Sequence, residues 1–281
     1  MIGSIFSSFK LQNPTAVGAV GGSGTRVIAQ FLSEAGYYIG SDLNESNDNL
    51  WFTLLFKRRD VLIEPRETFK LMADMFFRRM GDARDGQENR AAVEIVRRLS
   101  RNAWLEERAR TFLNGTIGPE RAHAQWAWKE PNTHVVIDKL LELNRRLRYI
   151  HVVRNGLDMA YSANQNQLQL WGPVFLGHDV QLTPRFSLAY WCTVHRRIRE
   201  IAERLPGRVM FLDFDAFCRD PRKGCDDILG FCQRSVPENV IESFASKVCI
   251  PASTGRFRTH NTEDLDPVDV EYVASWGYPI A

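Results

Sequence analysis

Apolar residues in this chain gather into short continuous runs, and most of these runs are followed by apolar residues at helical spacing. Ala16–Val20 has the character of a buried strand; after a glycine-rich turn, Val27, Ile28, Phe31 and Leu32 recur on one face of a helix predicted over Thr25–Ala35. A second pair is the strand Ala124–Trp128 with a helix from Asn132 to about Arg146, and a third is Arg148–Val153 with a helix beginning near Leu157. Farther on come a long helix over Pro184–Arg204, a strand at Arg208–Leu212 and a helix after Pro221. Strands separated by helices imply parallel crossovers, hence an α/β fold of three layers with a mainly parallel sheet flanked by helices. Residues 50–115 carry no strand pattern, and Val93, Val96, Leu99, Trp104 and Leu105 mark them as a helical insertion within one domain spanning 1–281. Such an insertion reads as an acceptor wall or lid, or equally as core support.

Charge and cysteine usage narrow the classes. Lys plus Arg total 36 against 34 Asp plus Glu, a net charge of +2 that gives no reason to invoke nucleic acid or an anionic membrane. The arginine doublets at 58–59, 78–79, 97–98, 145–146 and 196–197 are scattered and read as solvated helix faces. Five cysteines without a C-x-x-C pair speak against a zinc knuckle and a disulfide framework, and point to a reducing compartment. Cys218, Cys225 and Cys232 are seven apart and read as small buried hydrophobes. The start, MIGSIFSSFKLQNP, has too short an apolar stretch for a secretion signal, and no run of about 18 apolar residues exists, so a cytoplasmic protein without a membrane span is expected. No two histidines have metal-ligand spacing; His151 reads as a core residue, and His134 as a helix cap or a neighbour of the active edge.

The chemistry begins in the glycine-rich turn. Gly21, Gly22 and Gly24 allow unusual dihedrals and close approach of a ligand, while the amides at the following helix start attract an anion. No Lys-Ser or Lys-Thr pair follows Gly24, as a nucleoside-triphosphatase loop would require, and Gly22, Gly24 and Val27 miss the dinucleotide fingerprint at its third position. In RYIHVVRNGLDMAYS, residues 148–162, a strand ends in Arg154 and Ser162 follows eight positions later. A guanidinium fork and a hydroxyl together make a phosphate site, so two separate phosphates are expected.

These blocks resemble the sulfotransferases that use 3′-phosphoadenosine-5′-phosphosulfate, PAPS, and the bacterial and carbohydrate-type members more than the aryl-sulfating ones. Ser23, Gly24 and Thr25 match the family's S-G-T, which grips the 5′-phosphosulfate; Arg154, Asn155, Asp158 and Ser162 match its R-[DN]-x-x-D-x-x-x-S, which grips the 3′-phosphate. WAWKEP at 126–131, VMFLDFDAFCRDP at 209–221 and STGRFR at 253–258 agree as well, the last resembling the family's late loop over the nucleotide. The resemblance implies a P-loop NTPase-like fold and transfer of a sulfuryl group from PAPS to a hydroxyl or amine of a saccharide or other small molecule, leaving adenosine 3′,5′-bisphosphate. It implies a cosubstrate site of Gly22, Ser23, Gly24, Thr25, Arg26, Arg154, Ser162, Thr254, Gly255 and Arg256.

The family usually places Lys or Arg just before S-G-T, where this chain has Gly22, so the catalytic charge is expected from Lys129 or, failing that, Arg26. Some relatives place a glutamate base in the region of GSDLNESNDN at 40–49, which makes Glu45 the leading base and Asp48 the second. No metal is expected, since sulfuryl transfer has no polyphosphate to neutralise. Trp171, Gly172, Pro173 and Phe175 read as an aromatic turn for stacking on an acceptor, with Trp51 and Phe52 opposite. A phosphotransferase, a dinucleotide-binding oxidoreductase and a silent nucleotide-binding module remain the competing readings.

Overall fold

The architecture is a computed structural model that describes residues 13–81, 90–115 and 125–281. Four strands, β1 (Thr15–Ala19), β2 (Ala127–Lys129), β3 (Arg148–Val153) and β4 (Val209–Asp213), form a parallel sheet in the order β2-β1-β3-β4. Register pairs Val17 with Lys129 and with Ile150, and Val153 with Asp213, so the carboxyl ends of the strands share one edge.

Every residue of β1 is buried, as expected for a parallel strand covered on both faces. Its side chains alternate between two cores. Val17 and Ala19 join Ile150, Val152 and the helix Thr25–Glu34 through Ile28, Phe31 and Leu32; Ala16 joins Tyr149, Val153 and the long helix Pro184–Arg204 on the other face. Cys218, Cys225 and Cys232 are buried on the first face, their thiols pushed up by that burial, in keeping with a packing role.

The described part of residues 50–115 is helical: Leu50–Phe56, Arg66–Met80, Arg90–Leu99 and Ala103–Asn114, with a short 3-10 turn at Arg59–Ile63. Phe52 stacks on Trp128 at 5.9 Å, and Phe76 meets the same ring edge-on at 5.3 Å, so these helices are glued to β2 by an aromatic cluster. Trp51 and Phe52 are therefore core residues and not a stacking platform.

Three further expectations change. The helix from Asn132 to Arg146 is instead a 3-10 turn, Pro131–Val135, followed by a separate helix, Ile137–Leu143. The Glu130 carboxylate accepts from the Asn132 amide at 2.6 Å and from its side chain at 2.8 Å, and Val136 leaves the helical region within a β-branched run. The aromatic turn at 171–175 lies within a helix, Asn166–Leu176, where Trp171 is fully buried and donates to Asn132 Oδ1 at 2.8 Å. The strand predicted from Ala124 runs over Ala127–Lys129, and Ala124 itself lies outside the described residues. Among the described residues no helix is long and apolar enough to cross a membrane.

Candidate active site

At the end of β1 the chain turns through Gly21 to Gly24 and enters the helix Thr25–Glu34. Gly22 and Gly24 have φ of +91° and +84°, and a Cβ on Gly24 would come within 2.2 Å of the Phe214 ring. Glycine is thus required at Gly24 by backbone and by packing together. Ser23 turns its hydroxyl inward, donating to Val20 O at 2.6 Å, which leaves main-chain amides to face a ligand. The first-turn amides of a helix have no intrahelical acceptor, so the helix start at Thr25 and Arg26 adds donors and partial positive charge.

Arg154 leaves β3 beside this loop and is almost fully buried. Its guanidinium donates to Gly22 O at 3.3 Å and to Ser253 Oγ at 2.8 Å, while Nε stands 3.9 Å from Asp215 Oδ1 and has no hydrogen-bond partner among the described residues. The Asp215 carboxyl is pushed up by burial, against the pull of Arg154. Asn155 caps the helix Gly156–Ala160 by accepting from Leu157. Asp158 accepts from the amides of Gly255 at 2.7 Å and Phe257 at 3.2 Å, which fixes the late loop over Arg154. Ser162 follows the end of that helix, and a Cβ on Gly22 would stand 3.6 Å from its hydroxyl. Arg256 is held by a bond from its Nε to Ser253 O at 3.2 Å; burial lowers its pKa, and the neighbouring Arg154 charge adds to the effect. Thr254 is exposed, and Gly255 has φ +79° at the turn into the 3-10 stretch Arg256–Thr259. The residues from the two motifs and from the late loop thus meet around Gly22.

On the other side of the loop, Lys129 is buried at the end of β2 and donates to Ser46 O at 2.8 Å and Asp48 Oδ1 at 2.5 Å. Burial lowers its pKa, with Asp48 opposing and Arg26 adding to the shift. Arg26 reaches the hydroxyl of the same Ser46 at 3.1 Å. Lys129, Arg26, Ser46 and Asp48 therefore form one cluster at the helix start. Glu45 lies in the same turn and is exposed, while Asp48 is committed to Lys129. His134 is fully buried; burial holds its imidazole down at about 3, and its Nε2 lies 3.3 Å from the Tyr190 hydroxyl. It is a neutral core group.

Three residues escape motif reading. Phe214 fills the space under Gly24 and carries the Arg154 guanidinium 5.9 Å above its ring. Glu130 is fully buried, its carboxyl pushed up by that burial, and pairs with Lys57 at 3.3 Å. Gln167 bonds to the loop itself. Glu130 and Phe214 were marked in advance only by lying inside the blocks at 126–131 and 209–221, and Gln167 by nothing.

The chain resembles known proteins weakly in sequence and throughout in fold. An uncharacterised protein of Aquifex aeolicus is 24% identical over 159 residues, a match covering 56% of this chain and 20% of that protein, so the chain spans about a fifth of the curated relative it matches. The sulfotransferase domain of the Synechococcus olefin synthase superposes with a TM-score of 0.51 at 15% identity, covering 95% of this chain and 96% of that one. A Mycobacterium avium sulfotransferase gives 0.50 at 14% identity over 94% and 76%. The model described as sulfotransferase family matches residues 14–238, from the amino end of β1 past the last described strand, and so takes in the glycine turn, Lys129 and the whole Arg154–Ser162 block. On that match the chain belongs to the sulfotransferase family.

Proposed function

We propose that the protein transfers a sulfuryl group from PAPS to a hydroxyl or amine of a small-molecule or saccharide acceptor. The observation that supports this reading is the bond from Arg154 to Gly22 O, which holds a guanidinium, with the Ser162 hydroxyl nearby, against the glycine turn. The donor set fits such a nucleotide: amides at a helix start for the 5′ end; Arg154, Ser162 and Arg256 for the 3′-phosphate; the loop at Thr254 and Gly255 over the nucleoside.

Bound there, the cosubstrate supplies a sulfur open to in-line attack and a phosphate leaving group. Attack forms the new oxygen–sulfur or nitrogen–sulfur bond and breaks the bond to the 5′-phosphate oxygen, which keeps the electron pair, while the acceptor gives its proton to a base. Lys129, together with Arg26, is assigned the positive charge that meets the leaving oxygen. Asp48 holds the Lys129 ammonium in place, so Glu45, which is not tied to that pair, is the better base.

Thermal shift tests the reading. Adenosine 3′,5′-bisphosphate should raise the melting temperature well above what equal concentrations of ATP or NAD give, because binding to the native state alone stabilises it. Equal stabilisation by ATP would favour the phosphotransferase reading, and preference for NAD the oxidoreductase. Turnover of sulfate-labelled PAPS in an acceptor screen then separates an enzyme from a silent binder.

A further inference from the structure

Gln167 belongs to no motif, yet its side chain bonds both to the end of β1 and to the loop that follows it. It is buried in the first turn of the helix Asn166–Leu176. Its Oε1 accepts from the Gly21 amide at 3.0 Å, and its Nε2 donates to Ala19 O at 3.2 Å. One primary amide therefore satisfies both a donor and an acceptor of the main chain just where β1 gives way to the loop. The bond also removes the Gly21 amide from the set that can face an anion, so the cradle starts at Gly22.

The helix that carries Gln167 is itself fixed at two further points. Gln165 donates to Ser162 O at 2.7 Å, which ties the hydroxyl-bearing segment to the same turn. Arg59 grips Leu170 O at 2.6 Å and Gln169 O at 3.0 Å from the turn after the helix Leu50–Phe56. A side chain seated on so constrained a helix holds its partner peptide firmly.

We propose that Gln167 is a positioning residue of the phosphate loop: it orients the peptides around Gly21 so that the following amides converge on the 5′ anion, and it sets the distance from that anion to Ser162. The identity of the anion rests on the PAPS reading above; the orientation of the loop does not.

Calorimetry on the full chain tests this with two probes, adenosine 3′,5′-bisphosphate and adenosine 3′-phosphate, which lacks the 5′ group. Gln167→Leu keeps the bulk and deletes both bonds. Affinity for the bisphosphate should fall about tenfold, with less than about a twofold change for the 3′-phosphate. Hydrogen exchange at the Gly21 amide should rise in the same variant while the amides of β3 keep their protection. Gln167→Glu reproduces the donor and acceptor only when protonated, so its bisphosphate affinity should fall with rising pH more steeply than that of the native protein. This variant decides the matter if Gln167→Leu does not fold. Native bisphosphate affinity in Gln167→Leu, equal losses for both nucleotides, unchanged Gly21 exchange, or a native pH profile in Gln167→Glu would each overturn the proposal. Failure of the native protein to bind adenosine 3′,5′-bisphosphate would instead overturn the PAPS assignment, and Gly21 exchange would still decide the role of Gln167.

Discussion

Lys129 and Gly22 pose one problem between them, because the position where the family usually carries a cation has a backbone that disfavours any side chain. With φ at +91° and Met159 Cε 3.3 Å from where a Cβ would stand, Gly22→Lys costs roughly 1–2 kcal/mol in backbone strain alone. It is not expected to rescue a variant lacking Lys129. Lys129→Ala should lower turnover by about 10²–10³, the worth of a single donor to a developing anion. Glu45→Gln should lower it by about 10²–10⁴ while leaving adenosine 3′,5′-bisphosphate affinity close to native. Steady-state rates beside calorimetry check both; full turnover in Glu45→Gln would move the base to another group near the acceptor. That Arg154 and Ser162 come to lie beside the glycine turn was legible in the sequence, since the turn follows one strand and Arg154 another; the ligand roles proposed for them rest on the resemblance. The roles of Phe214 and Gln167 were not legible, since they depend on which distant backbone they meet.

At the scale of elements, strands read more clearly than helices. β3 and the long helix Pro184–Arg204 fall where the pattern put them, since an apolar run bounded by arginines and a proline-started helix carry their own limits. The helix expected from Asn132 failed because Glu130 captures Asn132 from outside the pattern. The aromatic segment at 171–175 misled because aromatic residues in a turn and in a buried helix look alike until a partner such as Asn132 is known. The late loop is a dependent element, held by Asp158 through two amides. Asp158→Ala should free residues 253–258, raising exchange at Gly255 and Phe257 and weakening adenosine 3′,5′-bisphosphate binding by about tenfold to a hundredfold, since each bond to a charged group contributes about 1.5–3 kcal/mol. Hydrogen exchange by mass spectrometry would show it, and a loop that stays protected would contradict the assignment.

Across the whole molecule, three imidazoles are buried in the core between β3 and the long helix. Burial holds His134 and His195 at about 3 and His151 well below its ordinary value. All three are neutral in the folded protein and take up protons on unfolding below about pH 6.5, so their contribution is complete above that pH and shrinks as pH falls toward 3. His134 and His195 each remove up to about 1.4 kcal/mol per pH unit below about pH 6.5, and His151 acts in the same direction, against a total stability of about 5–15 kcal/mol. Denaturant midpoints should therefore drop between pH 7 and pH 5, with Glu130 and Asp215 opposing, and His195→Gln should flatten the slope. A midpoint unchanged across that range would refute the account. The sheet has a separate consequence for biosynthesis. All its strands run parallel, so none pairs with a hairpin neighbour, and Arg154 closes on Gly22 and Ser253 across 132 and 99 residues. A chain emerging from the ribosome exposes its phosphate loop long before the late loop exists, so a nascent chain stalled before Ser253 leaves the tunnel should pair its strands and yet hold adenosine 3′,5′-bisphosphate poorly.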